Sequence, residues 1–463
     1  MGTRRTFLSA SIVTATAALT GVPAGAEQLG DRGPGRPVRP QQPDAELRAI
    51  LRQIDERRIE ATVRKLASFG TRHTLSAQDN PVRGIGAARD WILAEMSKSA
   101  TPAMKVELQS YIQQPVPPRV PEPVRITNVM ATLRGSTSPD RIYVISGHYD
   151  SRCTDPNDFS KDAPGANDDA SGVAVAMELA RVMSRRRPAA TIVFAAVAGE
   201  EQGLHGARHM ATQYKAANAD IQAMFTNDIV GSSTADDGTR DPRTIRLFAE
   251  GVPTAETAAE ANTRRSVGGE NDSSSRQLSR FVRSVAVNDA TGMNVRVIYR
   301  RDRYLRGGDH IPFLEQAYPA ARFTEPNENF AHQHQDVRVQ NGVQFGDLPE
   351  FCDFSFIARV AKVNAATLWS LASAPGTPKA VRINTAALTN DTDLLWQRGT
   401  EPDLAGYEIV WRETTDSDWT RYIDVGNTTS AKIDLSKDNV FFGVRAYDKA
   451  GHRSPVAFPT PQS

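Results

Sequence analysis

Ile142-Tyr143-Val144-Ile145-Ser146-Gly147-His148-Tyr149-Asp150 joins a short apolar run to a glycine, then to a histidine and an aspartate two residues apart. The run, rich in β-branched and aromatic residues, reads as a buried strand. In α/β sheets, functional groups gather just past the carboxyl ends of such strands. On extended chain His148 and Asp150 point to the same side, so His148 can ligate a metal while Asp150 orients it. Such a pair is common, and it gains weight only from the motifs downstream in the chain.

The same arrangement recurs. Gly165-Ala166-Asn167-Asp168-Asp169-Ala170-Ser171-Gly172 is a turn of small residues that opens a helix. Asp168 is the candidate to bridge two cations through its two oxygens; the alternative is that Asp168 or Asp169 caps the helix. Glu200-Glu201 follows an apolar run at 191–197. Neighbours in sequence point apart, so one glutamate binds metal and the other faces the attacking water. Asp228 follows another apolar run, and His332-Gln333-His334-Gln335-Asp336 adds imidazoles. Oxygen ligands mixed with imidazole suit zinc or a similar divalent metal. With one carboxylate left over as a base, the set is the inventory of a two-metal hydrolase.

Between about 106 and 325, strand candidates lie at 126–133, 142–146, 191–197, 224–229, 244–249, 295–299 and 320–323. They alternate with helical stretches that include 173–183, 205–215 and 274–285. The expected fold is α/β, a mixed, largely parallel sheet sandwiched by helices. A helix at 348–371 closes the unit, and Ala374-Pro375-Gly376-Thr377-Pro378 breaks the pattern. Beyond it come short strands with Trp396, Tyr407, Trp411 and Tyr447 as an aromatic core, the plan of a small all-β sandwich.

The first 26 residues have a charged start at Arg4-Arg5, an apolar stretch and a small-residue exit at Ala24-Gly25-Ala26, the plan of a cleaved export signal. Thr3-Arg4-Arg5-Thr6-Phe7-Leu8 is similar to the twin-arginine variety. The expected location is therefore periplasmic or extracellular, with no membrane span in the mature chain. Residues 27–44, rich in Gly, Pro, Arg and Gln, read as a disordered lead-in. The expected units are then a metal-bearing domain at 45–373 and the sandwich at 374–463. A formal net charge of +1 over 463 residues gives no reason to expect nucleic acid or an anionic membrane as partner. Cys153 and Cys352 fit two free thiols or one bridge.

Taken together, the ordered motifs resemble the co-catalytic di-zinc aminopeptidases of the bacterial leucyl aminopeptidase type. Glutamate carboxypeptidases, glutaminyl cyclases and transferrin receptors belong to the same wider superfamily. The resemblance covers about 45–371 and implies two Zn2+ ions. It assigns His148 and Asp228 to one ion, Glu201 and His332 to the other, and Asp168 as the bridge. Glu200 would be the general base and Asp150 would orient His148. It also implies a cis peptide at Asp168–Asp169. His332 is preferred to His334 because the family usually places its last histidine four residues before an aspartate, here Asp336. Gly307-Gly308-Asp309-His310-Ile311-Pro312-Phe313 resembles the segment beside the substrate pocket, where a serine often stands at Gly308. Asp309 or His310 would place substrate there, or Asp309 would cap a helix.

The activity so implied is removal of N-terminal residues from peptides with a free N-terminus. Three alternatives stand beside it: a carboxypeptidase or dipeptidase using Arg300, Arg301, Arg303 and Arg306, a glutaminyl cyclase, and a non-enzymatic receptor-like or adhesion protein. The C-terminal segment resembles a fibronectin type III domain in Trp396, Gly406-Tyr407-Glu408-Ile409 and Phe442-Gly443-Val444-Arg445-Ala446-Tyr447-Asp448, and its expected role is packing or adhesion.

Overall fold

The computed structural model describes residues 33–386 and 388–462. The export signal expected at 1–26 lies outside the described residues. Strand β1 is Arg36–Pro37; helices α1 (Ala45–Gln53), α2 (Glu56–Ala67) and α3 (Ile85–Ser97) follow. Next come β2 (Met104–Gln113), β3 (Val124–Leu133), β4 (Ser138–His148), α4 (Ser171–Met183), β5 (Ala190–Val197), α5 (His205–Ala216) and β6 (Asp220–Asn227). The chain continues through β7 (Thr244–Phe248), α6 (Ala258–Ser266), α7 (Ser274–Ala286), β8 (Asn294–Ile298), α8 (Ile311–Glu315) and β9 (Ala320–Thr324). A hairpin of β10 (Arg338–Gln340) and β11 (Val343–Phe345) precedes the long helix α9 (Phe354–Ser373).

These strands build an eight-stranded sheet in the order β2-β3-β5-β4-β6-β9-β7-β8. Its centre, β5-β4-β6-β9, is parallel, and β3 and β7 flank it antiparallel. Every residue of β5 is buried, as a central strand covered on both faces requires. Along β4 the side chains alternate between two cores. Tyr143 and Ile145 join the cluster of α1, α2, α4, α7 and α9, whereas Val144 joins Met210 of α5 and Phe313 of α8 on the opposite face. The chain leaves β4 for β5 on one side and returns to β6 on the other. That reversal opens a crevice above the carboxyl end of β4, where ligands of open α/β sheets collect.

The remaining strands are β12 (Arg382–Asn384), β13 (Thr392–Leu395), β14 (Leu404–Glu413), β15 (Arg421–Gly426), β16 (Ser430–Ile433), β17 (Val440–Asp448) and β18 (Thr460–Gln462). They form two four-stranded sheets, β1-β15-β14-β17 and β16-β13-β12-β18. Leu394 and Ile433 of one sheet share a core with Ile409, Trp411 and Val444 of the other, and Trp396 leans on Tyr407.

The structure departs from sequence expectation in three places. Residues 33–44 are not a disordered lead-in. Arg36–Pro37 adds an edge strand to β15, and Pro34 O accepts the Trp411 indole N–H at 2.8 Å. A proline-rich segment too polar to fold alone can still be held through backbone hydrogen bonds to a sheet edge. Strand β2 and helix α3 have no counterpart among the expected elements; β2 is an edge strand in which Lys105, Leu108, Ser110 and Ile112 are exposed, so its apolar residues do not mark one buried face. The last helix starts at Phe354 rather than 348, because Pro349–Phe351 forms a 3₁₀ turn and Asp353 caps the Phe356 amide at 2.9 Å. Both cysteines are free thiols. Among the described residues no helix is long and apolar enough to cross a membrane.

Candidate metal centre

His148 is the last residue of β4, and its backbone N–H donates to Asp169 Oδ2 at 2.9 Å. Its imidazole Nδ1 lies 3.1 Å from the Asp150 carbonyl oxygen, which holds the ring so that Nε2 faces the crevice. Sequence position suggests that Asp150 orients this ring through its carboxylate. That carboxylate stands farther off, 3.6 Å from Nδ1, and instead accepts the amides of Glu200 at 3.2 Å and Glu201 at 3.1 Å and the Thr74 hydroxyl at 3.0 Å. Asp150 therefore ties the exit of β4 to the exit of β5.

The two aspartates opening α4 divide the roles that the sequence left open between bridge and cap. Asp169 serves the helix, accepting from Gly172 N at 3.1 Å as well as from His148 N. Asp168 faces the crevice. Its Oδ1 lies 3.0 Å from His148 Nε2 and its Oδ2 lies 2.8 Å from His334 Nε2. One carboxylate thus spans two imidazoles, the geometry a bridging ligand needs. The peptide between Asp168 and Asp169 is cis, as the resemblance implies; Asp228–Ile229 is a second, unanticipated cis bond that does not precede proline. Asp347 holds the backbone here, accepting Asn167 N and Asp168 N at 2.7 Å each.

Around Asp168 the donors sort into two groups. The ligand atoms of His148, Glu200 and Asp228 lie within 4.8 Å of one another, as do those of Asp168, Glu201 and His334. The second group contains His334 and not His332, the histidine expected as last ligand. His332 lies outside it, with its ring stacked on Phe351 at a centroid separation of 3.6 Å. Its amide closes a turn onto Asn329 O at 3.1 Å, and a φ of +54° at His334 then swings the next imidazole inward. Asp336, whose spacing favoured His332, pins the loop to Thr154 N at 3.1 Å and Lys161 Nζ at 3.1 Å.

No ion is needed to see that these groups fit one. Glu201 Oε1 and His334 Nε2 are buried and make no hydrogen bond, although they are 3.0 Å apart. Unsatisfied buried polar atoms converging on one point are costly unless a cation meets them. Nitrogen and oxygen donors in this ratio are those of zinc. The electrostatics agree. Burial, reinforced by Asp228, Glu201 and Asp309, outweighs His148 and pushes Glu200 well above the usual carboxyl range. Burial lowers the His334 imidazole, but Glu201 and Asp168 prevail and push it up to about 10.

Several partners carried no signal in the sequence. Arg322 of β9 donates from Nη2 to Asp228 Oδ1 at 2.8 Å, and Arg152 donates from Nε to Glu201 Oε2 at 3.0 Å. Gln333 Nε2 donates to Asp168 Oδ2 at 3.1 Å. Lone arginines and glutamines have no spacing rule; only the pairing of β6 with β9, which sets Thr226 beside Arg322, brings Asp228 and its arginine together. Asp309 does not cap α8: both its oxygens are buried without a partner, and burial pushes the carboxyl up to about 7. His310 is held down to about 4 by burial, and its Nε2 lies 2.8 Å from Arg301 O.

Residues 128–341 match the model of peptidase family M28. A probable zinc metalloprotease of Leptosphaeria maculans is 56% identical over 427 residues, spanning 92% of this chain and 99% of the relative. Another, of Pyricularia oryzae, is 53% identical over 436 residues, spanning 92% of this chain and 87% of its own. Among solved structures, the LapA aminopeptidase of Legionella pneumophila superposes with a TM-score of 0.50 at 17% identity, covering 78% of this chain and 80% of that one, a likeness of fold.

Proposed function

Since this chain belongs to peptidase family M28 and is a zinc-dependent peptidase, we propose that it is an exported aminopeptidase with two zinc ions. The observation that carries this reading is the position of Asp168 between two histidines, with a separate donor group on each side. His148 and Asp228 would hold one zinc and Glu201 and His334 the other, with Asp168 shared. Zinc bound there supplies a Lewis acid that brings the pKa of its water towards neutrality.

The chain's own residues do the rest. Glu200, set on the His148–Asp228 side, takes a proton at its carboxylate and returns it to the leaving amine nitrogen as a general base and then acid. Asp150 keeps the Glu200 amide in place. The surplus of carboxylates around Asp228, Glu200 and Asp309 favours a substrate that brings a positive α-ammonium group.

A carboxypeptidase would instead require free cations for the substrate carboxylate. Of the four arginines that kept that reading open, Arg303 and Arg306 pair with Glu328 at 3.3 and 2.6 Å, which counts against their use for a substrate carboxylate, whereas Arg300 lies over the Tyr304 ring and Arg301 reaches the Thr254 hydroxyl. The sandwich would serve packing or adhesion as a fibronectin type III-like unit, and export would follow from the 1–26 segment. The test is chelator-sensitive hydrolysis of leucine p-nitroanilide beside its N-acetyl form. Cleavage of the free-amine substrate alone, lost with chelator and restored by zinc, is the expected result. Equal cleavage of both, or of neither, refutes it.

A further inference from the structure

A fully buried arginine stands on β9 between Ala321 and Phe323, both of which face the core. Removing a guanidinium from water is costly unless its donors are all engaged, and Arg322 engages them on two sides. Towards the metal centre, Nη2 donates to Asp228 Oδ1 at 2.8 Å and Nε donates to the Asp228 carbonyl oxygen. Towards the 300–308 loop, Nη1 donates to Gly307 O at 2.6 Å and to Asp302 Oδ2 at 3.3 Å. One rigid fork therefore grips both the side chain and the backbone of Asp228 and fastens them to the loop that walls the crevice.

The neighbouring glycine belongs to the same arrangement. A Cβ at Gly308 would come 2.8 Å from Arg322 Nη1 and 3.3 Å from Asp228 Oδ2. The bare backbone at 308 is what leaves room for the guanidinium beside Asp228.

We propose that Arg322 is a positioning residue for the zinc assigned to His148 and Asp228, fixing the Asp228 carboxylate and coupling it to the 300–308 loop. The proposal rests on the two-zinc reading above. A planar fork matches a carboxylate and a carbonyl at once, which a lysine ammonium cannot do. Groups that orient a metal ligand typically change metal affinity by about 10- to 100-fold when removed.

The experiment is zinc competition against a colorimetric chelator, on the full chain, for wild type, Arg322→Met, Arg322→Lys and Asp302→Asn. Wild type should hold two zinc ions. Arg322→Met should weaken one of them by about 10- to 100-fold and spare the other, and Arg322→Lys should weaken the same ion less. Asp302→Asn, which keeps both bonds to Asp228, should stay near the wild-type profile while raising KM through the loop. If Arg322→Met does not fold, Arg322→Lys decides: an unchanged profile overturns the proposal. Equal weakening by Asp302→Asn also overturns it, since disturbed buried charge would then account for the effect. A wild-type chain that takes up no zinc refutes the two-zinc reading itself, a distinct outcome.

Discussion

His334 Nε2 and Glu201 Oε1 stand 3.0 Å apart in the crevice, and neither makes a hydrogen bond. The same histidine nitrogen lies 2.8 Å from Asp168 Oδ2, so three potential metal donors gather there. His332, two residues earlier, is spent on Phe351. Replacing His334 with alanine should therefore remove one of two zinc ions and abolish most activity. His332→Ala should retain both ions. Metal content by mass spectrometry of the native protein distinguishes them, and loss of zinc from the His332 variant alone would reverse the assignment.

Glu200→Gln removes the proton acceptor and leaves the shape of the site. Its kcat should fall by about 100- to 10,000-fold, with the Asp168–Glu201–His334 ion retained. A variant with near-normal turnover would show that another group carries the proton.

Asp150 accepts the amides of Glu200 and Glu201 and the Thr74 hydroxyl. Asp150→Ala leaves three donors without an acceptor in a buried place, so the turn carrying both glutamates should loosen. Zinc affinity should drop about 10- to 100-fold with a parallel fall in kcat/KM. Unchanged zinc affinity by chelator competition would mean that the turn holds its shape without Asp150.

Gly172 sits where α4 passes under the site. A Cβ there would run into Asn227 O and come 2.7 Å from both carboxylate oxygens of Asp169. Gly172→Ala should destabilise the fold by about 1–3 kcal/mol through overpacking, despite the better helix propensity of alanine. Thermal unfolding checks this, and an unaltered Tm would show that the backbone yields at little cost.

His452 joins the sandwich to α1, with its ring nitrogens 2.8 Å from Asp448 Oδ2 and 3.0 Å from Asp44 Oδ2. Asp448 chiefly, with Asp44, raises its pKa to about 9 from 6.5. The folded value lies above the unfolded one, so this contribution is fully present below pH 6.5 and is lost as pH rises through about 9. Discounted for partial exposure, it is worth about 1 kcal/mol. Denaturant midpoints at pH 6 and 9.5 should differ for wild type and converge for His452→Gln; an equal pH dependence in both would remove the imidazole from the account.

The fold was legible because its central strands are nearly unbroken apolar runs. Thr191 to Val197 and Ile142 to Ser146 have no other reading in an alternating α/β pattern, and each is fully or largely buried. The edge strand β2 was not legible, since polar residues stand among its apolar ones and Leu108 and Ile112 face water. The segment before Asp44 reads as disordered for a related reason: its order comes from the edge of β15 and the Trp411 indole, partners far away in the chain.

The chemistry of the centre shows the same division. Residue types and their places after strand ends singled out His148, the Glu200–Glu201 pair and Asp228, because a strand's direction dictates where its last residues emerge; Asp168 stands in a turn that opens a helix, and the separate roles of these residues came from the resemblance. The choice between His332 and His334 turned on a single left-handed residue in a loop, which no periodicity encodes. The grips of Arg322 on Asp228, Arg152 on Glu201 and Asp347 on the Asp168 backbone depend on strand order and loop packing. Local sequence sets the direction in which a side chain leaves its own element; which distant charge it then meets is decided only when the sheet is assembled.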